Sequence, residues 1–312
     1  MRLTAFFFIA SFALSAHAAP GDTIKSYPAE QVAPDTWVIT GPLGEPSVQN
    51  QGFMNNPAWI IAGDQVIVID PGSSVQAGRM VVNAIRKTTA LPVTTVYNTH
   101  IHGDHWLGNQ AILEAWPKAV LIAHPDMIAK AHAGEAASWI KLMSSLTQGY
   151  TDGTRAEIPT IATTDGMISK IGSRSFKIYS SNDAHSKTDI MIEVDNGVLF
   201  TGDNVLNQRV ARMDDGTFSG NIKAIDRALA LPEIKVVVPG HGKPGKPAIL
   251  KAQRDYFQTL FDAVKVEYDA GKSDFEMKPA VVKKLAAYQK WNGFDTALGK
   301  QISLAVLEIE QQ

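Results

Sequence analysis

Residues 98–109 read NTHIHGDHWLGN, a stretch that puts three of the chain's eight histidines and an aspartate within six consecutive positions, His100 to His105. It follows the apolar run VTTVY at 93–97, so an extended strand delivers it. Alternate side chains of an extended segment share a face, which points His100 and His102 the same way. Gly103 lets the backbone turn at low steric cost and bring Asp104 and His105 round. Imidazole and carboxylate suit zinc or a similar divalent ion, at about 2.0–2.2 Å per bond. Three protein ligands per ion leave a position open for water, the pattern of a catalytic site rather than a closed structural one.

Other donors fall at comparable places. His185 follows SFKIYSS at 175–181, Asp203 ends the strand VLFTG at 198–202, and His241 ends IKVVVPGH at 234–241. Each stands just past the C-terminal end of an apolar strand, where an α/β sheet has its ligand crevice, so all of them can converge on one site. His124 and His132 stand alone and read as core or surface residues. Thr99, Asp70 and Asp189 read either as supports for the donors or as turn formers. Trp106, Trp139, Met143 and Tyr150 read as core side chains or as the lining of a pocket near the loop. Lys243 and Lys246 read as a solvated turn, with attraction of an anionic group as the alternative.

Around this site the chain alternates strands and helices. TWVIT (36–40), AWIIAG (58–63) and QVIVID (65–70) read as strands, 75–88 and 109–116 as helices, and 119–123 as a further strand, which predicts an α/β architecture. Residues 126–146 are helix-forming throughout and constitute a helical insert near 126–150. GMISKIG (166–172), SFKIYSS and the hairpin DIMIEVDNGVLFTGD (189–203), turning at Asp195-Asn196-Gly197, supply more strands. A helix at 222–229 precedes the strand at 234–238, and 248–312 reads as helical with breaks near Gly271 and Gly293.

Composition narrows the function. Of 312 residues, 45% are apolar and 19% charged, an ordinary globular balance, and the net charge of -2 offers no strongly basic surface to nucleic acid. The implied partner is a small-molecule substrate. Arg2, the apolar stretch Leu3 to Leu14 and the Ala16-His17-Ala18 cleavage pattern read as a signal peptide over 1–18, which predicts export to a periplasm. That stretch is too short to span a bilayer, and no later segment is apolar enough to do so. The mature chain, 19–312, reads as a single domain. It contains no cysteine, which removes thiolate as nucleophile or ligand.

Four motifs carry a family resemblance: HIHGDH (100–105), AHSKTDI (184–190), LFTGD (199–203) and VVPGHG (237–242). In this order they resemble the metallo-β-lactamase fold hydrolase superfamily over roughly residues 35–245. The resemblance implies an αββα sandwich with metals at one edge of two packed sheets. It also implies that His100, His102 and His185 hold a first ion, that Asp104, His105 and His241 hold a second, and that Asp203 bridges them. β-Lactamases of this fold usually carry cysteine or serine at the place of Asp203; a bridging aspartate looks like the thioesterases, lactonases, phosphodiesterases and alkylsulfatases of the superfamily. The insert and AHSKTDI are similar to exported zinc hydrolases associated with sulfur-oxidation and quinoprotein systems.

The expectation is therefore an exported hydrolase with two zinc ions, iron or manganese being alternatives, acting on an ester, thioester, lactone or related bond. Paired divalent ions lower the pKa of a shared water from 15.7 toward about 7, which makes it the attacking group, and Asp104 is placed to take its proton. Hydrolysis of β-lactam amides, an iron-dependent sulfur dioxygenase and a non-catalytic metal-binding protein are the other readings.

Overall fold

The computed structural model describes residues 22–312; the signal peptide expected over 1–18 lies outside the described residues. Two sheets form the centre. The first runs β1 (Ala29–Ala33), β2 (Thr36–Ile39), β3 (Ala58–Ala62), β4 (Gln65–Ile69), β5 (Val93–Tyr97), β6 (Val120–Ala123) and β7 (Ile161–Ala162), in spatial order identical to chain order. Its first four strands pair antiparallel and the rest parallel. The second holds β8 (Ile168–Ile171), β9 (Arg174–Ser181), β10 (Asp189–Val194), β11 (Val198–Phe200) and β12 (Val236–Val238), with β11 and β12 parallel.

The period-2 alternation of the strands decides how these sheets stack. In β4, Val66 and Val68 enter a cluster with α1 (Val75–Thr88), whereas Ile67 and Ile69 point the other way and meet Phe176, Ile178 and Ile190 of the second sheet. In β10, Ile190 and Ile192 face that shared core, while Met191 faces the helices on the far side. Those are α6 (Phe218–Leu229), α7 (Ala248–Asp269), α8 (Asp274–Lys284) and α9 (Phe294–Glu310). Helix, sheet, sheet, helix is the αββα sandwich that the motifs imply.

Helix α1 is set by Ser74, whose hydroxyl accepts from the Ala77 amide, and by Arg86 and Lys87 in its last turn. It packs so close to the histidine loop that a Cβ on Gly78 would lie 2.5 Å from the Gly108 carbonyl oxygen. The loop itself forms α2 (Gly103–Trp106) and leads into α3 (Asn109–Ala115).

Three features depart from expectation. The run 126–146 is not one helix: α4 (Pro125–Lys130) passes through a π-helical turn, Ala131–Glu135, where Gly134 takes φ 116°, into α5 (Ala136–Leu146). Helix α6 starts four residues before the predicted position, because Thr217 caps it and the Glu308 carboxylate of α9 accepts from the Phe218 and Ser219 amides at 2.7 and 3.0 Å. Strands β1 and β7 escape the pattern, since both are short edge pieces with no buried residue. Among the described residues no helix is long and apolar enough to cross a membrane.

Candidate metal centre

Parallel pairing of β4 with β5 and of β11 with β12 brings four chain crossings to one edge of the sandwich. Asp70 follows β4, His100 to His105 follow β5, Asp203 lies in the 3-10 turn Gly202–Asn204 after β11, and His241 follows β12. His185 arrives from the loop between β9 and β10. The structure brings all seven expected donors together, each less than a tenth exposed. His100, His102 and His185 form one group whose ligand atoms lie within 4.8 Å of one another; Asp104, His105 and His241 form a second. Asp203 lies between them: Oδ1 is 3.2 Å from His105 Nε2, and Oδ2 is 3.3 Å from His241 Nε2 and 3.6 Å from His185 Nε2.

Hydrogen bonds outside the cluster decide which ring nitrogen faces inward. Asp70 accepts from the Thr99 amide at 2.8 Å, the Thr99 hydroxyl at 2.6 Å and His105 Nδ1 at 2.9 Å. With its proton committed to Asp70, the Thr99 oxygen accepts from His100 Nδ1 at 2.9 Å. His102 Nε2 donates to Asp215 Oδ2 at 2.9 Å, and His241 Nδ1 to the Met54 carbonyl at 2.8 Å. Lone pairs are thereby left on His100 Nε2, His102 Nδ1, His105 Nε2 and His241 Nε2. His102 Nδ1 stands 3.0 Å from His185 Nε2, and His105 Nε2 stands 3.3 Å from His241 Nε2. Buried acceptors held this close repel unless a proton or a metal cation lies between them. His100 Nε2 and Asp203 Oδ1 are buried with no hydrogen-bond partner, so the donor set fits divalent cations.

The electrostatics agree. Burial holds His100 well below its ordinary pKa and His185 at about 3, so both are neutral donors. Burial opposes ionisation of Asp104 and Asp203, but His105 and His241 outweigh it and hold both carboxyls far below the usual range. Against the same burial, the surrounding carboxylates, Asp203 foremost, raise His105 and His241. A proton therefore competes with a metal at their Nε2 atoms, and metal affinity falls with acidity.

The open alternatives now separate. Asp70 and Thr99 are supports, as described. Asp189 instead accepts from the Ser186 amide and hydroxyl, at 2.7 Å each, and shapes the loop, while His185 Nδ1 is buried without a partner. Trp139 lines the cleft above the donors; Trp106 is core, its Nε1 donating to the Ile101 carbonyl, and Met143 is core beside it. Tyr150 does not line that cleft, and Lys243 and Lys246 point to solvent. His124 accepts from the Asp126 amide and caps α4, and His132 is exposed. Sequence reasoning missed Asp215, the Met54 carbonyl and Arg209. An Asp-Asp-Gly triplet at 214–216 reads as a plain turn, and a carbonyl has no residue signature.

Asp70→Asn keeps the shape of this support but replaces one acceptor oxygen by a donor. It is expected to cost about 10- to 100-fold in metal affinity, read by competition with a chromophoric chelator, with unchanged circular dichroism. Wild-type affinity in that variant would deny Asp70 its role.

A family model described as the metallo-beta-lactamase superfamily matches residues 51–241, which include all seven donors. A hydroxyacylglutathione hydrolase of Parasynechococcus marenigrum is 27% identical over 197 residues, covering 61% of this chain and 67% of that protein. One of Prochlorococcus marinus is 24% identical over 188 residues, covering 58% and 60%. The chain thus spans about two thirds or less of these curated relatives. Among solved structures, a metallo-beta-lactamase from Pontibacter korlensis aligns with TM-score 0.59 at 16% identity, over 74% of this chain and 98% of that one. Another, from Hirschia baltica, aligns with TM-score 0.53 at 20% identity, over 74% and 97%.

Proposed function

The chain belongs to the metallo-beta-lactamase superfamily and is a metal-dependent hydrolase, and from that premise we propose that it cleaves an ester, thioester or related acyl bond with two divalent cations, zinc first among them. The position of Asp203 carries this reading: one carboxylate reaches ring nitrogens of both triads. An aspartate there, and the similarity to two hydroxyacylglutathione hydrolases, favour an ester or thioester over a β-lactam amide. Export through residues 1–18 belongs to the same proposal and rests on the sequence pattern alone.

His100 Nε2, His102 Nδ1 and His185 Nε2 would hold one ion, Asp104, His105 Nε2 and His241 Nε2 the other, with Asp203 shared. Ions bound there would supply Lewis acidity, polarising a carbonyl and lowering the pKa of water toward about 7. The chain's own groups do the rest. Asp104, kept ionised by His105 and His241, accepts the proton of the attacking water. Asp70, Thr99 and Asp215 hold the rings in their working tautomers. In the net reaction the water oxygen joins the acyl carbon, the C–O or C–S bond breaks, one water proton leaves with the departing alcohol or thiol, and the other is released as the acid product ionises.

A panel of chromogenic thioesters, esters, lactones, phosphodiesters, sulfates and a cephalosporin, run on zinc-loaded protein, tests this. Turnover of thioesters or esters that a chelator abolishes is expected. Turnover of the cephalosporin alone, or of nothing, would reject the ester and thioester assignment.

A further inference from the structure

The cleft over the donor cluster has two unlike ends. At the His102 end, α5 presents Trp139, whose ring lies 5.0 Å from that of His102, together with Leu142 and Leu146, which are 38% and 43% exposed. Steps of three and four residues put these side chains on one helical face, while Ala136 and Met143 are buried. Single exposed leucines are ordinary on a protein surface, but an aromatic and two leucines bordering a polar, reactive centre form a contact surface for something apolar.

At the His241 end stands Arg209, only 4% exposed and two residues beyond Asn207, whose amide donates to the His241 carbonyl at 2.9 Å. Its Nη2 donates to Glu45 Oε1 at 3.0 Å, but its Nη1 is buried with no partner. A buried guanidinium nitrogen without an acceptor is destabilising until an acceptor reaches it. Arg212 also lines the cleft but is already paired with Asp214. One free amino group beside two guanidinium–carboxylate pairs suits a monoanion, and its planar geometry suits a carboxylate.

We propose that the substrate is an amphiphilic acyl compound, whose apolar group packs on Trp139, Leu142 and Leu146 while its carboxylate accepts from Arg209 Nη1, with the scissile acyl carbon between them over the donor cluster. The placement of the acyl carbon rests on the hydrolase reading. The two end contacts do not.

Three amide probes test the end contacts without requiring turnover: N-hexanoylglycine, N-acetylglycine and N-hexanoylglycinamide, titrated calorimetrically into zinc-loaded protein. Each buried methylene is worth roughly three- to fourfold, so N-hexanoylglycine is expected to bind about tenfold or more tighter than N-acetylglycine. A similar margin is expected over the neutral glycinamide. The double variant Leu142→Ser/Leu146→Ser, altered at exposed positions, loses the chain-length preference and keeps the carboxylate preference. Arg209→Gln does the reverse, and Arg209→Lys retains part of the carboxylate preference. Equal binding of long and short probes, or of acid and amide, by the wild-type protein would overturn the proposal even if Arg209→Gln fails to fold. So would a carboxylate preference that survives in folded Arg209→Gln, because the carboxylate would then be bound by the ions. If the preferences appear but no ester or thioester is cleaved, the ester and thioester reading falls and the two contacts stand.

Discussion

An Asp203→Ala variant is expected to lose more than about 100-fold in turnover, beyond the roughly 10- to 100-fold that removal of a mere supporting partner costs, while its circular dichroism stays unchanged. Asp203 places carboxylate oxygens within 3.6 Å of ring nitrogens of both triads, so its loss withdraws negative charge and a ligand atom from both ions at once. The fold tolerates the change because the sandwich rests on apolar clusters in which Asp203 takes no part. The backbone is nevertheless built around this carboxylate: a Cβ on Gly240 would stand 1.9 Å from Asp203 Oδ1. His102→Ala is the informative comparison. It removes a ligand from the first triad only, so its stepwise metal titration should show one weakened site against two for Asp203→Ala. Near wild-type hydrolysis by Asp203→Ala would reject the shared-carboxylate account.

Removing metal is expected to lower stability as sharply as activity. Without cations, seven buried donors crowd together, two carboxylates held ionised among imidazoles that face one another at 3.0 and 3.3 Å. A ligand that binds only the folded state at 1,000 times its Kd stabilises by about 4 kcal/mol per site, so zinc restored to chelator-stripped protein should raise Tm by many degrees. The gain should shrink with acidity. His105 and His241, raised by Asp203, hold protons that compete with the ions more strongly as pH falls, while His100 and His185, lowered by burial, stay neutral when folded and take up protons on unfolding, which favours unfolding in acid. Thermal melts at pH 7.5 and pH 5, with and without zinc, read both effects. A Tm indifferent to zinc at pH 7.5 would show that the donors do not hold it.

What was legible in the sequence follows from how local each signal is. HIHGDH concentrates four donors on one turn, and the strand-end positions of His185, Asp203 and His241 could be read because each follows an apolar run. QVIVID is continuously apolar from Val66 to Ile69 and reads as a strand, and β4 is that strand, buried over those four residues. Long-range partners carry no such pattern. Asp215 reaches His102 across 113 residues of chain, and Met54 reaches His241 across 187. Helix α6 begins early because a glutamate 90 residues away caps it, which no local rule anticipates. Gly134 illustrates the other limit: among mostly good helix formers a glycine is tolerated inside a helix at modest cost, yet here it takes φ 116° and divides the run into two helices.

The central claim is that seven side chains from four separate stretches of the chain hold two divalent cations in one buried pocket. Metal analysis of protein purified without chelator, followed by zinc titration, tests it most directly: the account predicts close to two ions per chain, with both sites weakened in Asp203→Ala. Protein that contains no transition metal and takes up none on titration would contradict it.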